Sequence, residues 1–459
     1  MTPSLPKLFK PLIGRFVQSV IPDAPITWDT VAITLLVTLL PLLLFVLKNW
    51  TETLLVILAV ICAYGILKSG ITWRSLISDP TAGWIVVALL APFLANLAAL
   101  LMRGDLRSGM IHDDLDCLNG PSRLLLAALL FVWLRHLKAQ PMIVLSVVFP
   151  LVALITLPFA HYEIIPGRFS TRLIGVTDFG EQICLFGAFI FLTLLLLPPR
   201  SKALLLLLVV SLIASCFMAF RTQTRGGWIA IPVVLFIVPF VYRGPKIRII
   251  VASLAILVAI AVVSVSSPAL RSRIGSVYSE PKAVFNGTGQ VTSAGARLPM
   301  LIISWELIKQ RPIWGWGPNS AYREAVYAVD PKIYHMPPEG YVNREDPRKT
   351  LVENCAHNQY AMDWLRGGIL SITSTILLLG IPLVIFSLNL RGTTGVSYLA
   401  ACMGISMVAC YAVFSLTEGP FGLKVFWSFY GFIIAALASQ VLSDQDTKNP
   451  LKNPEPSQA

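Results

Sequence analysis

The sequence predicts an all-α polytopic membrane protein with about twelve transmembrane helices. Hydrophobic residues make up 56% of the 459 residues and charged residues only 13%, whereas about a quarter of the residues of a soluble domain are charged. The apolar residues fall into runs of roughly 17 to 25, the length that crosses a hydrocarbon core of about 30 Å as a helix. These runs are too long and too uniformly apolar for barrel strands, so a helical bundle is expected.

Twelve runs are predicted as membrane spans. They lie at 31–47, 51–68, 82–102, 122–137, 141–160, 179–197, 202–220, 226–242, 247–265, 368–390, 395–414 and 424–442. They divide the chain into an N-terminal segment 1–30, nine spans in 31–266, a polar segment 267–366, three spans in 367–442 and a tail 443–459.

The two ends of the chain are predicted to lie at or beyond the membrane surface. In the N-terminal segment, apolar residues recur at helical spacing between Lys7, Lys10 and Arg15. This pattern is typical of a basic amphipathic helix on the cytoplasmic leaflet, although Pro11 interrupts it. The first apolar run is followed at once by another span, so no cleavable signal peptide is predicted. The polar tail is predicted to be disordered.

Basic residues in the connecting segments predict the orientation. With both termini inside, the inner segments hold 15 Lys and Arg residues, against 9 in the short outer loops. This bias favours cytoplasmic termini and places the segment 267–366 outside. That segment contains 12 of the 36 basic residues, so chemistry or binding is expected at the outer surface of the membrane.

The first candidate site motif is Thr224-Arg225-Gly226-Gly227. Arg221 and Arg225 are four residues apart, so they would face the same way in a helical turn. A guanidinium binds phosphate oxygens through two parallel hydrogen bonds, and the glycine pair would let a headgroup approach the backbone. The motif therefore predicts a phosphate-bearing lipid ligand. Arginines that anchor the chain at the membrane interface are the alternative, above all for Arg221.

The second motif, Gly295-Ala296-Arg297, precedes a segment with helical periodicity. Its apolar residues Leu298, Leu301, Ile302, Trp305 and Ile308 are predicted to share one helical face. Arg297 would begin this helix and point into an outer cavity. The alternative is a surface salt bridge to Glu306 or Glu324, which would contribute little.

The third motif is Ala356-His357-Asn358, at the predicted start of a helix that pauses at Gly367-Gly368 and continues as a span. A neutral imidazole is the usual general base for a sugar hydroxyl, worth typically 10²- to 10⁴-fold in rate. Glu353 lies one turn earlier and would orient His357 or replace it as the base. A hydrogen-bonded structural histidine is the alternative interpretation.

Together these motifs resemble the O-antigen ligase and polymerase superfamily over about 220–370. The resemblance rests on their order, from Thr224-Arg225-Gly226-Gly227-Trp228, through Gly295-Ala296-Arg297 and the segment Gln310 to Pro318, to Ala356-His357-Asn358-Gln359-Tyr360 and Gly367-Gly368-Ile369. It implies a metal-independent glycosyltransferase of the C-type membrane fold (GT-C) that needs no cofactor. It also implies a bacterial inner membrane protein whose active site faces the periplasm.

Within the superfamily, one large outer loop and twelve spans look most like the ligase. The implied donor is a polysaccharide on undecaprenyl pyrophosphate, the implied acceptor is lipid A–core, and membrane lipids are further partners, with no nucleic acid. O-antigen polymerases and protein O-oligosaccharyltransferases share these motifs and stay open as alternatives.

Carried over by motif, Arg225 and Arg297 would bind the pyrophosphate and stabilise the leaving group, while His357 would deprotonate the acceptor hydroxyl for an inverting attack. The other predicted substrate-binding residues are Arg168, Arg172, Arg221, Gly226, Gly227, Asn358 and Tyr341, with Asn343 and Arg344 near the acceptor.

Two functions outside this mechanism stay open. The acidic cluster His112-Asp113-Asp114-Leu115-Asp116 is compatible with a metal-dependent glycosyltransferase, since clustered carboxylates hold Mg²⁺ or Mn²⁺. A twelve-span flippase for lipid-linked oligosaccharides is the non-enzymatic alternative. It predicts repeated halves with broken helices at matching positions, a pattern that the sequence lacks.

Overall fold

Helices make up most of the computed structural model. It describes residues 10–22, 25–70, 79–103, 115, 117–165, 167–197, 199, 201–266, 297–317, 320–335, 346–353 and 356–448, with isolated positions from 271 to 286. The helices are α1 (Lys10–Val20), α2 (Trp28–Leu39), α3 (Trp50–Ser69), α4 (Pro80–Arg103), α5 (Ser122–His136), α6 (Met142–Thr156), α7 (Val176–Leu196), α8 (Lys202–Thr222), α9 (Arg225–Val241), α10 (Lys246–Ser266), α11 (Arg297–Gln310), α12 (Ser320–Ala328), α13 (Pro347–Glu353), α14 (Gln359–Asn389), α15 (Gly395–Thr417) and α16 (Lys424–Lys448). Two strands, β1 (Tyr162–Ile165) and β2 (Arg168–Ser170), form a hairpin.

Nine helical segments in the described part of the chain are long and apolar enough to cross a membrane. They are α3, α4, Cys117–His136, Met142–Phe159, α7, α8, α14, α15 and Lys424–Asp444. Helices α2 and α9 are apolar but shorter, with 12 and 17 residues, and α10 coincides with the predicted run 247–265. The prediction of an all-α polytopic membrane protein is confirmed at this level, while the count of twelve and the GT-C fold stay predictions.

The first predicted span, 31–47, is too long. Helix α2 ends at Leu39, and residues 40–49 form turns. Pro41 lacks an amide N–H and its ring clashes with the preceding helical turn, which accounts for the early end. The Trp50 side chain closes this turn by donating from Nε1 to the Leu39 carbonyl over 2.8 Å.

The last two long helices lie at the centre of the bundle. In their most apolar stretches 78% of the residues of α15 and 94% of those of α16 are buried, against 33% in α4 and α8. Tyr411 of α15 packs against Phe421 and Tyr430 with ring centroids 5.4 and 4.9 Å away. Helices α4 and α8 therefore present most of their surface outwards, as expected of lipid-facing helices.

Both ends of the described chain differ from the sequence prediction. Helix α1 buries Val17 and Val20 against the bundle, and the Val20 carbonyl accepts a 2.6 Å hydrogen bond from the Gln140 amide. The predicted surface helix is therefore docked on other helices through its apolar face. Helix α16 extends to Lys448, so the predicted disordered tail is wrong for 443–448. The Ser443 hydroxyl donates to the Ser439 carbonyl over 2.7 Å and supports this extension.

The β-hairpin between α6 and α7 was not predicted. Its antiparallel strands pair Tyr162 with Ser170 and Glu163 with Phe169, and a bulge follows. Gly167 lies at the turn with a φ of 76°, a conformation that glycine adopts without strain. The strands have four and three residues, too few to produce a recognisable alternation in the sequence.

The polar segment 267–366 contains a second hydrophobic core, separate from that of the bundle. Helices α11, α12 and α13 enclose it together with the first turns of α14. Its buried members are Met300, Ile303, Leu307, Ile308, Trp316, Tyr322, Val326, Val329, Tyr334, Leu351, Ala356, Met362 and Leu365. The Tyr322 hydroxyl donates to the Leu351 carbonyl over 3.0 Å. The described helices of the large loop therefore form a packed unit that rests on the start of α14.

Helix α14 is kinked at Gly368, where φ is 67° and ψ is −162°. The predicted pause at Gly367-Gly368 is confirmed. The segment 311–317, which we call the docking segment, lies along the kink. The amides of Trp316 and Gly317 donate to the carbonyls of Leu365 and Arg366 over 2.9 and 2.8 Å. The docking segment thus satisfies backbone groups that the kink releases from the helix.

Candidate functional site

A charged cluster forms where α15 ends. Glu418 directly follows this helix and is only 6% exposed. Its Oε2 atom accepts a 2.9 Å hydrogen bond from Nη2 of Arg297, and its Oε1 atom is hydrogen-bonded to Nδ1 of His357. One carboxylate therefore joins two of the three predicted catalytic residues, which are 60 positions apart in the sequence.

Local structure places His357 in this cluster. The residue has a φ of 50°, in the left-handed region, immediately before α14 begins. Asn358 caps that helix, because its side-chain oxygen accepts a 2.9 Å hydrogen bond from the Ala361 amide. Its side-chain nitrogen donates to the Leu416 carbonyl over 3.2 Å. Asn358 therefore fixes the direction in which the chain leaves His357, and its predicted contact with substrate stays a prediction.

Gln359 ties the same helix start to the connection between α15 and α16. Its amide donates to the Glu418 carbonyl over 3.1 Å, and its side-chain oxygen accepts from the Phe421 amide over 3.2 Å. Its side-chain nitrogen donates to Asp363 over 2.8 Å. His357 and Glu418 therefore belong to two segments that are held together by both backbone and side-chain bonds.

Arg297 is the first residue of α11, and its side chain is 31% exposed. Arg297 does make a salt bridge, as the alternative interpretation predicted, but its partner is Glu418, and Glu306 pairs with Lys309 over 2.7 Å. The buried face of α11 also differs from the prediction. It consists of Pro299, Met300, Ile303, Ser304, Leu307 and Ile308, whereas Trp305 is 51% exposed. Packing against α13 and α14 selects this face.

Arg225 begins α9 beside the same cluster. A Cβ atom at Gly226 would lie 2.6 Å from Oε1 of Glu181 and 2.9 Å from Oγ1 of Thr417, the residue before Glu418. A Cβ atom at Gly227 would lie 2.6 Å from the Gly180 carbonyl oxygen. The start of α9 is thus held between α7 and the end of α15. The structure gives both glycines a packing role, with protein atoms in the space where a headgroup was predicted to approach.

The hairpin brings two further arginines to the turn between α8 and α9. Arg168 donates from Nε to the Thr222 carbonyl over 2.8 Å and from Nη2 to the Thr224 hydroxyl over 3.3 Å. The guanidinium of Arg221 lies 3.8 Å from the centre of the Phe169 ring. Arg168 and Arg221 therefore both lie at the turn that directly precedes Arg225. Arg172 is exposed on the connection between β2 and α7.

Sequence reasoning missed the acids of the site. Glu181 is fully buried near the start of α7, and the described residues donate no hydrogen bond to its carboxylate. Asp178 lies one turn earlier, and both acids are within electrostatic range of Glu418. An ionisable residue inside the predicted span 179–197 was a recognisable signal for Glu181. Glu418 is the only acidic residue between the last two spans, on the same predicted side as the large loop.

Several predicted residues cannot be placed in this site. Tyr341, Asn343 and Arg344 lie outside the described residues, as do His112, Asp113, Asp114 and Asp116 of the acidic cluster. Glu353 ends α13, and the carboxylate that contacts His357 is that of Glu418. In the part of the chain that the structure describes, no three His, Cys, Asp or Glu side chains are grouped to hold a metal ion.

Fold and site together define a multi-pass helical membrane protein with a histidine, arginines and buried acids clustered at one end of its bundle. Comparison with known proteins finds a family match over part of the chain. Residues 210–376 match the family described as O-Antigen ligase, which confirms the predicted resemblance to the O-antigen ligase superfamily. The matched region includes Arg225, Arg297 and His357 but ends before Glu418.

The chain is also similar to an uncharacterized protein of Haemophilus influenzae. The two sequences are 24% identical over 287 residues, which cover 61% of this chain and 68% of the relative. The similarity therefore extends beyond the matched family region, and it adds no activity because the relative is uncharacterized.

Proposed function

We propose that this protein is an O-antigen ligase, which transfers a polysaccharide from undecaprenyl pyrophosphate to a sugar hydroxyl of lipid A–core at the periplasmic face of the inner membrane. The observation that carries the proposal is the sharing of Glu418 by His357 and Arg297, next to the start of α9 where Arg225 lies. A base and two permanent cations at one end of a membrane bundle suit an acceptor hydroxyl and a lipid-linked diphosphate.

The arginines bind the donor. As the glycosidic C–O bond breaks, its electron pair leaves with the pyrophosphate, and negative charge builds up on that group. Two guanidinium groups, from α9 and α11, stabilise this charge in the transition state more than in the ground state. Their forked hydrogen-bonding geometry matches phosphate oxygens. This stabilisation makes the transfer independent of a metal ion.

His357 activates the acceptor. Its neutral imidazole takes the proton of the sugar hydroxyl while the oxygen forms a new bond to the anomeric carbon of the donor. Attack occurs on the face opposite to the departing pyrophosphate, so the configuration at that carbon is inverted. The proton is held on His357 after the transfer and passes to solvent before the next turnover.

The test is transfer by the purified protein from undecaprenyl-pyrophosphate-linked glycan to lipid A–core, with and without EDTA. We expect product in both conditions. EDTA-sensitive transfer would overturn the metal-independent mechanism and would favour a metal site formed by Asp113, Asp114 and Asp116. Transfer only to a second donor glycan, or only to a protein, would instead identify a polymerase or a protein-directed transferase. Donor binding without transfer would favour a flippase.

Three alanine variants test the assigned roles, each beside a matched control in the large loop. Arg225→Ala, Arg297→Ala and His357→Ala should each reduce transfer by at least about 10²-fold, the usual scale for one such group. Arg348, which pairs with Asp346 over 2.7 Å, provides the arginine control. His335 is exposed and shares the left-handed backbone of His357, with a φ of 57°, so His335→Ala is the histidine control.

A further inference from the structure

We infer that Glu418 is a positioning residue that orients His357 as a base and couples the strength of that base to occupation of Arg297 by the donor diphosphate. The inference rests on the proposed function, because it assigns Glu418 a role in the same transfer. Glu418 lies beyond the matched family region, and the sequence motifs do not include it.

The first part of the argument is the proton position on His357. Glu418 contacts the Nδ1 atom of the imidazole. A carboxylate at this position holds the proton on Nδ1, which makes Nε2 the nitrogen that can take the proton of the acceptor hydroxyl. The carboxylate also stabilises the imidazolium that forms once the hydroxyl proton is taken. Glu418 therefore acts through His357 and needs no contact with the substrate.

The second part is the rigidity of Glu418. Its amide donates to the Phe414 carbonyl over 2.7 Å, and its carbonyl accepts from the Gln359 amide over 3.1 Å. The carboxylate is almost completely buried, so water competes little for its oxygens. Because both sides of the backbone are fixed and both oxygens are bonded, the carboxylate keeps one orientation relative to His357.

The third part is the competition between two partners for one negative charge. Arg297 uses one of its five N–H groups on Glu418, and its side chain is 31% exposed. In the absence of donor, the Arg297 charge offsets that of Glu418. A bound diphosphate would neutralise Arg297, so Glu418 would act more fully on His357 and make it a stronger base. The acceptor hydroxyl is then activated best when the donor is already bound.

Other charged groups lie near this cluster, and their effects on His357 must be distinguished from the effect of Glu418. Asp178 and Glu181 approach from α7, Arg297 from α11, and Arg225 lies at the start of α9. An ionised Asp178 or Glu181 would also favour a positively charged imidazole. Glu181→Gln is therefore measured in parallel, and it should leave the histidine tautomer unchanged because Glu418 is the acid that contacts Nδ1 of the ring.

The kinetic test uses Glu418→Gln, which preserves the shape of the side chain and removes its charge. We expect a loss of about 10²- to 10⁴-fold in kcat, the range set by losing an orienting carboxylate. Because the imidazolium loses its partner, the acidic limb of the kcat profile should move to lower pH. Glu418→Asp should restore the position of that limb. Glu306→Gln, which removes the partner of Lys309, is the control.

A direct test needs no transfer and so separates this inference from the proposed function. The chain has five histidines, and ¹⁵N NMR of labelled protein, with His357→Gln for assignment, reports the tautomer of His357 and its ring ¹⁵N chemical shifts. In the wild type we expect an Nδ1-protonated ring whose ¹⁵N chemical shifts change on addition of inorganic pyrophosphate. In Glu418→Gln the preference for this tautomer should be lost and the change on addition of pyrophosphate should be smaller. The same tautomer and the same chemical-shift changes in both proteins would overturn the inference, even if transfer activity is found.

Discussion

Two Gly-Gly pairs lie on either side of the candidate site, and glycine is required in them for different physical reasons. Gly226-Gly227 has regular helical geometry in α9, directly after Arg225. Gly367-Gly368 interrupts α14, and Gly368 has a φ of 67°. In the first pair, the backbone of α7 leaves no room for a side chain at Gly227, and in the second, Gly368 has a positive φ that glycine adopts without strain. The same dipeptide therefore marks a tight contact in one helix and a break in another.

The contact at the first pair is mutual. Gly227 faces the Gly180 backbone, and a Cβ atom at Gly180 would lie 2.5 Å from Oγ1 of Thr224. Thr224 also donates to the Val176 carbonyl over 3.0 Å, which links the start of α9 to the start of α7. At the second pair, a Cβ atom at Gly368 would lie 2.0 Å from the Ile313 carbonyl oxygen. There the docking segment occupies the space that a side chain would need.

Gly368→Ala should have the largest effect. An alanine there is strained by about 1–3 kcal/mol, because a φ of 67° with a ψ of −162° is a conformation essentially restricted to glycine. Its methyl group also collides with the backbone of the docking segment, which costs about 1–3 kcal/mol more. We expect the docking segment to detach, which limited proteolysis of the large loop and thermal unfolding in detergent would both detect. Gly380→Ala in the same helix is the control, since nothing lies within 4 Å of its Cβ position. Equal protease resistance in the two variants would refute a role for the kink.

Gly227→Ala should have an intermediate effect, because its conformation is unstrained but its new methyl group meets the Gly180 carbonyl. Overpacking against backbone costs about 1–3 kcal/mol. We expect a lower thermal midpoint and weaker binding of pyrophosphate, since Arg225 moves with the helix start. Gly83→Ala in α4, where nothing lies within 4 Å, is the matched control. If Gly227→Ala unfolds at the wild-type temperature, the close contact between α7 and α9 does not stabilise the protein.

Gly226→Ala should change stability least of the three, because the colliding atoms belong to the side chains of Glu181 and Thr417. These side chains turn aside at a cost below about 1 kcal/mol. Thr417 precedes Glu418, so we expect transfer to fall more than stability does. A double-mutant cycle sharpens the test: Glu181→Ala removes the colliding carboxylate, and combining it with Gly226→Ala should cost less than the sum of the single changes. Simple additivity would argue against this contact.

Much of the fold could be predicted from local sequence pattern. Long apolar runs fixed the positions of the main helices, and the glycine pair at 367–368 marked the kink. Pro41 shortens α2 within an otherwise apolar run, so hydrophobicity alone overestimated that helix. The hairpin was missed because its strands are too short for periodicity, and α11 buries a face that its own sequence does not define.

The site was only partly predictable, for a different reason. Arg225, Arg297 and His357 stand in motifs whose order and residue types suggest phosphate and proton chemistry. The ion pair of Arg297 with Glu418 joins residues 121 positions apart, and a single sequence contains no periodicity that reports such a distance. Only the predicted side of the membrane connected Glu418 with the large loop.

The docking segment is held to the rest of the protein mainly through its own backbone atoms. Its side chains can therefore be varied in engineered proteins. Arg103 donates from Nη1 to the Trp314 carbonyl over 3.0 Å, and Trp364 donates to the Pro312 carbonyl over 3.0 Å. Carbonyl acceptors are present whatever side chain the residue carries. The side chains of Ile313 and Trp314, which are 53% and 39% exposed, are therefore open to randomisation in a library while the segment stays anchored.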